Sequence, residues 1–252
     1  MTARTIFHAS DLHFGAEDRV ALDWFAQCVA DERPDAAIIT GDLTMRARHR
    51  EFAAAAAWLS ALPAPVTVEI GNHDMPYFNP IERFATPYRR YLAMEAMVET
   101  PIALPGIAII PLRTTAPAQW RLNWSKGIVT PQALAQTMAH IAATKQAAEQ
   151  AGGPLPLILI SAHHPLVETG TRGTAWTKGG TAALDALSGA GVAAVLSGHV
   201  HDPFDMAHQA QSGAVRMIGA GTLSERVRTT PPSFNVLTIA DGAIALSVRM
   251  MP

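Results

Sequence analysis

The chain has almost no cysteine. Cys28 stands alone, so an internal disulfide and a cysteine zinc site are both excluded, and a reducing compartment is the expectation. Its setting, Trp24 to Ala30, is apolar and suits a small core side chain. Charge of one sign is also lacking: 19 Lys and Arg against 21 Asp and Glu leave a net charge of -2. No electrostatic excess exists to drive general nucleic-acid or anionic-membrane binding, so any phosphate must be met by local groups. Long apolar runs are missing as well. The stretch Leu155 to Ala162 is far shorter than the ~20 residues that span a bilayer, and the N-terminus lacks a basic-then-apolar export pattern. No 20 to 50 residue repeat and no low-complexity linker interrupts the chain. The expectation is one cytoplasmic domain over residues 1–252, and the hydrophobic fraction of 49% suits a chain with a sizeable packed core.

Short apolar runs do recur: Arg4 to His8, Ala36 to Thr40, Val66 to Ile70, Ile107 to Leu112, Leu155 to Ala162 and Val192 to Leu196. They read as buried strands. Helical segments lie between them, notably Arg19 to Glu32, His49 to Leu62, Thr130 to Ala151 and Gly180 to Ala190, several rich in alanine. Strands alternating with helices give an α/β class. Three further strand candidates close the chain, at Val215 to Gly219, Phe234 to Ala240 and Ala243 to Arg249. The last two are joined by the turn pair Asp241-Gly242. Arg113 to Gly127 and Pro165 to Gly180 read as long loops, the usual carriers of binding function.

The side chains able to bind metal fall directly after these strands. The blocks are Asp11-Leu12-His13, Gly41-Asp42, Gly71-Asn72-His73-Asp74, His163-His164-Pro165 and Gly198-His199-Val200-His201, and they hold six of the ten histidines. Any one block is a common turn. Five in order, each where side chains converge at the carboxyl edge of a sheet, describe a site.

This ordered set resembles the calcineurin-like metallophosphoesterase family over residues 6 to 202. Asp42-Leu43-Thr44 and the segment Asn123-Trp124-Ser125 with Gly127 and Gln132 look most like its cyclic-nucleotide and glycerophosphodiester branch. Met45 and Arg46 stand where the cyclic-nucleotide group commonly has an acidic residue and a glycine, which argues against a cyclic nucleotide as substrate. The resemblance implies a four-layer sandwich, two mixed sheets packed together with helices outside. It also implies a binuclear site for two divalent ions, Mn, Fe or Zn. Asp11, His13, Asp42 and His201 would hold the first ion, and Asp42, Asn72, His163 and His199 the second, with Asp42 as the bridge. His73 would sit beside the phosphate as general acid or transition-state stabiliser, and Asp74 would fix its tautomer or cap the following segment.

The chemistry fits those residue types. Hydrolysis of a phosphodiester needs charge shielding, hydroxide near neutral pH and an in-line nucleophile, which two cations ~3.5 to 4 Å apart supply together. Two divalent ions less two carboxylates leave about +2, and a bridging hydroxide about +1, which suits a phosphate monoanion. The expected activity is hydrolysis of small phosphodiesters by that hydroxide. A nucleotide-lipid pyrophosphatase or a phosphomonoesterase uses the same chemistry. A metal-free scaffold has no reason to keep seven competent ligands, and the neutral charge balance disfavours a DNA partner.

Among the other residues, His8 reads as a core group and His164 as structural or behind the ligands. His49, His140 and His208 read as surface residues. Arg46, Arg48 and Arg50 read as a solvated face with Arg46 as a possible phosphate contact. Trp120, Trp124 and Trp176 read as stacking or packing groups.

Overall fold

Strands that are apolar along their whole length need cover on both faces. The computed structural model, which describes residues 3–100, 102–119 and 123–252, provides it. In the first sheet β1 (Arg4–Ala9), β2 (Ala36–Ile39) and β3 (Val66–Val68) run parallel, joined by the antiparallel β9 (Ser233–Ala240) and β10 (Ala243–Met250) in the order β10-β9-β1-β2-β3. The second sheet holds four parallel strands, β4 (Ile107–Pro111), β5 (Leu157–Ser161), β6 (Val192–Ser197) and β8 (Gly213–Gly219). The antiparallel β7 (Phe204–Ala210) lies at its edge, giving the order β4-β5-β6-β8-β7.

The two-residue period of a strand sorts the side chains into layers. On β2, Ala37 and Ile39 join the core beneath helices α1 (Arg19–Glu32), α2 (His49–Ser60) and α4 (Arg89–Val98), whereas Ala36 and Ile38 join the core between the sheets. On β5, Ile158 and Ile160 face α5 (Pro131–Gln150) and α6 (Gly180–Gly189), and Leu159 faces the first sheet. Three apolar layers therefore separate four layers of structure, the α/β sandwich that the resemblance implied. Helix starts are set locally: the Asp18 carboxylate accepts the N–H groups of Val20 and Ala21 at 2.9 and 3.1 Å, a cap worth about 1 kcal/mol. Thr130 caps α5 in the same way, followed by a proline in the first turn.

Two parts of the sequence reading are corrected. The edge strand β7 was not among the expected strands, because Phe204 to Ala210 alternates half-buried with exposed positions and lacks an apolar run. The helices α3 (Pro80–Ala85) and α4 were not among the segments named as helical. On α4, Tyr91, Met94 and Val98 enter the core, whereas Ile81 and Phe84 on α3 face solvent. The Asp241-Gly242 hairpin between β9 and β10 forms as expected, with both residues in the left-handed region.

Parallel strands send their carboxyl ends the same way. The loops after β1, β2, β3, β4, β5, β6 and β8 accordingly meet along one edge of the sandwich, and every metal-binding block lies in one of them.

Candidate metal centre

The chain bends sharply at the end of each strand. Asp11, His13, Asp42, His199 and His201 all have positive φ, between 47° and 71°. Asp and His tolerate this region better than most residues, yet each position costs on the order of 1 kcal/mol. Five of the eight non-glycine residues with positive φ among the described residues are expected metal ligands, so the strain is concentrated where the side chains must converge. Glycine does the rest by close approach. A Cβ on Gly71 would stand 2.1 Å from Asp42 Oδ1, and one on Gly198 would stand 1.7 Å from Ser10 Oγ.

Two constellations result. In the first, Nε2 of His13 and Nε2 of His201 lie 3.4 Å apart, with Asp11 Oδ1 at 3.6 and 3.1 Å from them. In the second, His163 Nε2 is 3.4 Å from Asp42 Oδ1 and 3.3 Å from Asn72 Oδ1, and that end of the amide is 3.2 Å from His199 Nδ1. Asp42 joins the two, since its Oδ2 lies 3.8 Å from His13 Nε2. One oxygen turned toward each group lets the carboxylate serve as a bridge.

Hydrogen bonds to carbonyls fix the tautomers. His163 Nδ1 donates to the Thr40 carbonyl at 2.7 Å and His201 Nδ1 to the Arg226 carbonyl at 2.6 Å. A carbonyl can only accept, so in the neutral ring Nε2 is left bare and pointed into the cluster. Lone pairs thus face lone pairs, with Asp11 Oδ1 lacking any hydrogen-bond donor. Positive charge, as protons on these rings or as bound cations, is required between them. The donor set of imidazole, carboxylate and amide suits two first-row divalent ions, and the residues present fit the binuclear group that the resemblance implied.

The electrostatics show the same demand. Burial pushes the Asp11 and Asp42 carboxyls up, but the surrounding histidines outweigh it and hold both well below the usual range. Burial lowers His163, yet the Asp42 charge raises it to about 9. His199 is driven down to about 3 by burial and by the charge on His163.

His73 faces the cavity beside this cluster. Its Nδ1 donates to the Met45 carbonyl at 2.8 Å, and its Nε2 lies 3.0 Å from Arg226 Nη1. Asp74 does not hold His73, contrary to the expected orienting role. Its carboxylate instead accepts the N–H groups of Leu43, Thr44 and Gly71 and the Thr44 hydroxyl, at 2.8 to 3.1 Å. The Met45 carbonyl takes the His73 ring proton. Asp74 therefore splints the Gly-Asp loop to the Gly-Asn-His loop, and the bond to Gly71 N–H closes the single 3-10 turn Asn72–Asp74. It does not cap a following helix, because Asn79 caps α3.

Of the remaining histidines, His49 and His140 are exposed as expected, whereas His208 is half-buried on β7. His8 is buried between Thr40 Oγ1 and Asn235 Nδ2, and burial lowers it to about 3. His164 gives its Nε2 proton to the Ser125 carbonyl and turns Nδ1 to Thr114 Oγ1, so neither nitrogen is free for a metal. Arg46 is exposed and does not line the cavity. Trp124 packs edge-on against Phe84, with the Arg83 guanidinium 5.1 Å from its ring centre. Trp176 is exposed, and Trp120 lies outside the described residues.

Sequence reasoning missed Arg226. Its carbonyl orients His201 while its guanidinium reaches His13 and His73 at 3.2 and 3.0 Å. The available signal was β8: a strand parallel to β6 must release its next loop, which carries Arg226 and Arg228, at the same edge as the metal blocks.

A four-layer sandwich with a paired Asp/His cluster at its strand ends defines the class of binuclear metallohydrolases. Residues 4–203 match the family model described as calcineurin-like phosphoesterase, and the chain belongs to that family. No curated relative matches the sequence. Among solved structures it is similar to a dimetal phosphatase from Danio rerio, 16% identical over 98% of this chain and 96% of that one, with a TM-score of 0.66. It is also similar to the purple acid phosphatase PPD1 from yellow lupin seeds, 13% identical over 99% of this chain and 52% of that one, with a TM-score of 0.64. A sulfate thiohydrolase, SoxB of Thermus thermophilus, shares the fold at 13% identity and a TM-score of 0.56, over 99% of this chain and 56% of that one. At these identities the likeness is one of fold. Among the described residues no helix is long and apolar enough to cross a membrane.

Proposed function

We propose that the chain is a metal-dependent phosphodiesterase acting on small diesters in the cytoplasm, without general nucleic-acid or membrane partners. The observation that carries the reading is the Asp42 carboxylate, with one oxygen turned to each constellation, between histidines whose bare Nε2 atoms are fixed by backbone carbonyls. Asp11, His13, Asp42 and His201 would hold one divalent ion, and Asp42, Asn72, His163 and His199 the other, with Mn, Fe and Zn all suited to these donors. Two such cations would shield the phosphoryl charge and acidify a water for attack.

The chain's own residues supply the rest. Arg226 stands where its guanidinium can take a phosphoryl oxygen, and it is held there through its hydrogen-bonded backbone. His73, with Nδ1 tied to Met45, presents Nε2 to the cavity, and once Arg226 turns from it to a phosphoryl oxygen the protonated ring would be the donor for a leaving alkoxide. The net charge of the loaded donor set supports a monoanionic diester, as do Asp42-Leu43-Thr44 and Asn123-Trp124-Ser125 in their loops.

A phosphomonoesterase is the second reading. It is favoured by the arginines around the cavity, which would also serve a dianion. The test is hydrolysis by protein loaded with Mn, Fe or Zn of bis-p-nitrophenyl phosphate, cyclic AMP, a glycerophosphodiester, a nucleotide diphosphate lipid and p-nitrophenyl phosphate. The diesters are expected to lead. A preference of tenfold or more for the monoester would overturn the assignment.

A further inference from the structure

The cavity above the donor cluster has a volume of about 280 Å3, and its charge is one-sided. Lys126, Arg172, Arg226 and Arg228 line it against one carboxylate, Asp42. Elsewhere the chain sets acids against its arginines: Arg4 with Asp35, Arg216 with Asp205 and Arg249 with Glu32. Among the described residues no ion pair engages Arg172, Arg226 or Arg228. These three arginines share one cavity with no acidic partner among the described residues, and like charges repel one another, so the arrangement favours an anionic occupant.

The loops that carry these side chains are fixed. Gly173 approaches the loop of His199 and His201 so closely that a Cβ there would lie 2.9 Å from Val200 Cα. Thr171 Oγ1 donates to the Gly173 carbonyl at 3.0 Å, and Lys126 Nζ ties the neighbouring Thr174 carbonyl at 2.8 Å. On the other wall the Asp202 carboxylate accepts the N–H groups of Thr229 and Thr230 at 2.9 and 3.2 Å, anchoring the chain just past Arg228. Arg172 and Arg228 are thus presented from braced backbone.

A charge sum indicates what they meet. Two divalent ions and a bridging hydroxide, less Asp11 and Asp42, leave about +1, and Arg172, Arg226 and Arg228 raise the cavity to about +4, of which a plain phosphodiester neutralises about one. We propose that the substrate is a phosphodiester whose non-leaving arm carries a second anionic group, phosphate or carboxylate, and that Arg172 and Arg228 bind it; this rests on the diesterase reading above. Water adds to phosphorus and gives up a proton, the bond from phosphorus to the leaving oxygen breaks with its electron pair going to that oxygen, the proton passes to an alkoxide leaving group or, for nitrophenolate, to solvent, and the second anion is unchanged.

The test uses p-nitrophenyl phosphodiesters that share one leaving group and differ in the other arm: 2-phosphoethyl, 2-carboxyethyl, ethyl or choline. Nitrophenolate needs no proton to leave, so His73 does not enter the comparison. Rates are measured on the Mn-loaded full chain at about 0.5 M ionic strength, where screening over ~4 Å suppresses long-range steering. The better anionic arm is expected to exceed choline by at least about tenfold in kcat/KM, chiefly through KM, and the two anionic esters identify the preferred group. Arg172→Gln with Arg228→Gln should shrink that ratio below about threefold, and the corresponding Lys pair should restore part of it. Ratios within threefold in the unaltered protein, a preference for choline, or an anionic preference that survives the Gln pair would each overturn the proposal. If none of the four esters is hydrolysed while metal is bound, the diesterase reading itself fails.

Discussion

Asp42 Oδ1 accepts the backbone N–H of His73 at 2.8 Å. The carboxylate at the centre of the donor cluster therefore also holds the residue that faces the cavity, and the position of the His73 ring relative to the cluster is set by backbone. The ring's Nδ1 is committed to Met45, and its Nε2 faces the cavity 3.0 Å from Arg226 Nη1.

His73→Ala keeps the backbone bond and removes only the ring. Turnover of an alkyl diester should fall by about 10² to 10⁴, the usual worth of a general acid, while metal content stays unchanged. A p-nitrophenyl ester, whose leaving group needs no proton, should lose much less. Equal losses on the two esters would show that His73 acts on the phosphoryl group and leaves the leaving oxygen alone.

Asp74→Ala leaves the buried N–H groups of Leu43, Thr44 and Gly71 without their acceptor, while the Thr44 hydroxyl keeps the His73 carbonyl at 3.2 Å. Each orphaned donor costs about 1 to 3 kcal/mol, so the variant should melt markedly lower and bind metal more weakly. Loss of turnover with melting temperature and metal content intact would reinstate the orienting role for His73.

The strands and motif loops were legible because each core strand is apolar on both faces and each loop starts with Gly, Asp or His at its bend. β1, β2, β5 and β6 and all five blocks are found close to their expected places. The division of strands between two sheets came from the family resemblance, since an apolar run carries no mark of which sheet it joins. β7 was invisible because its half-buried Phe204, Met206, His208 and Ala210 alternate with the exposed Asp205, Ala207 and Gln209, so no apolar run marks it. Arg226 was missed because its reach to His13 and His73 spans 213 and 153 residues, a proximity that only the parallel placement of β8 creates. The role of Asp74 was misjudged from adjacency: next to His73 in sequence, it turns its carboxylate toward the loop after β2.

Glu69, just past β3, gives a pH test away from the metal centre. Burial, reinforced by Glu95 and Glu99, raises its carboxyl from 4.5 to about 8, although Ser161 Oγ donates to it at 2.7 Å and Arg113 opposes the rise. A folded-state value above the unfolded one means that the stabilising contribution is complete below pH 4.5 and is lost as pH rises through 8. Glu69→Gln keeps an acceptor for Ser161 and cannot ionise. Relative to the unaltered chain it should gain on the order of 5 kcal/mol between pH 4.5 and 9, read from denaturant unfolding. Parallel stability profiles for the two proteins would contradict the raised value.

The most direct measurement is the metal stoichiometry of the reconstituted chain, by elemental analysis together with anomalous scattering from crystals. Two ions per chain are expected, both touching Asp42, and Asp42→Asn should lower the content below two and reduce diester hydrolysis at least about 10²-fold. A reconstituted protein with no bound metal, or with one ion that survives Asp42→Asn undiminished, would contradict the binuclear centre.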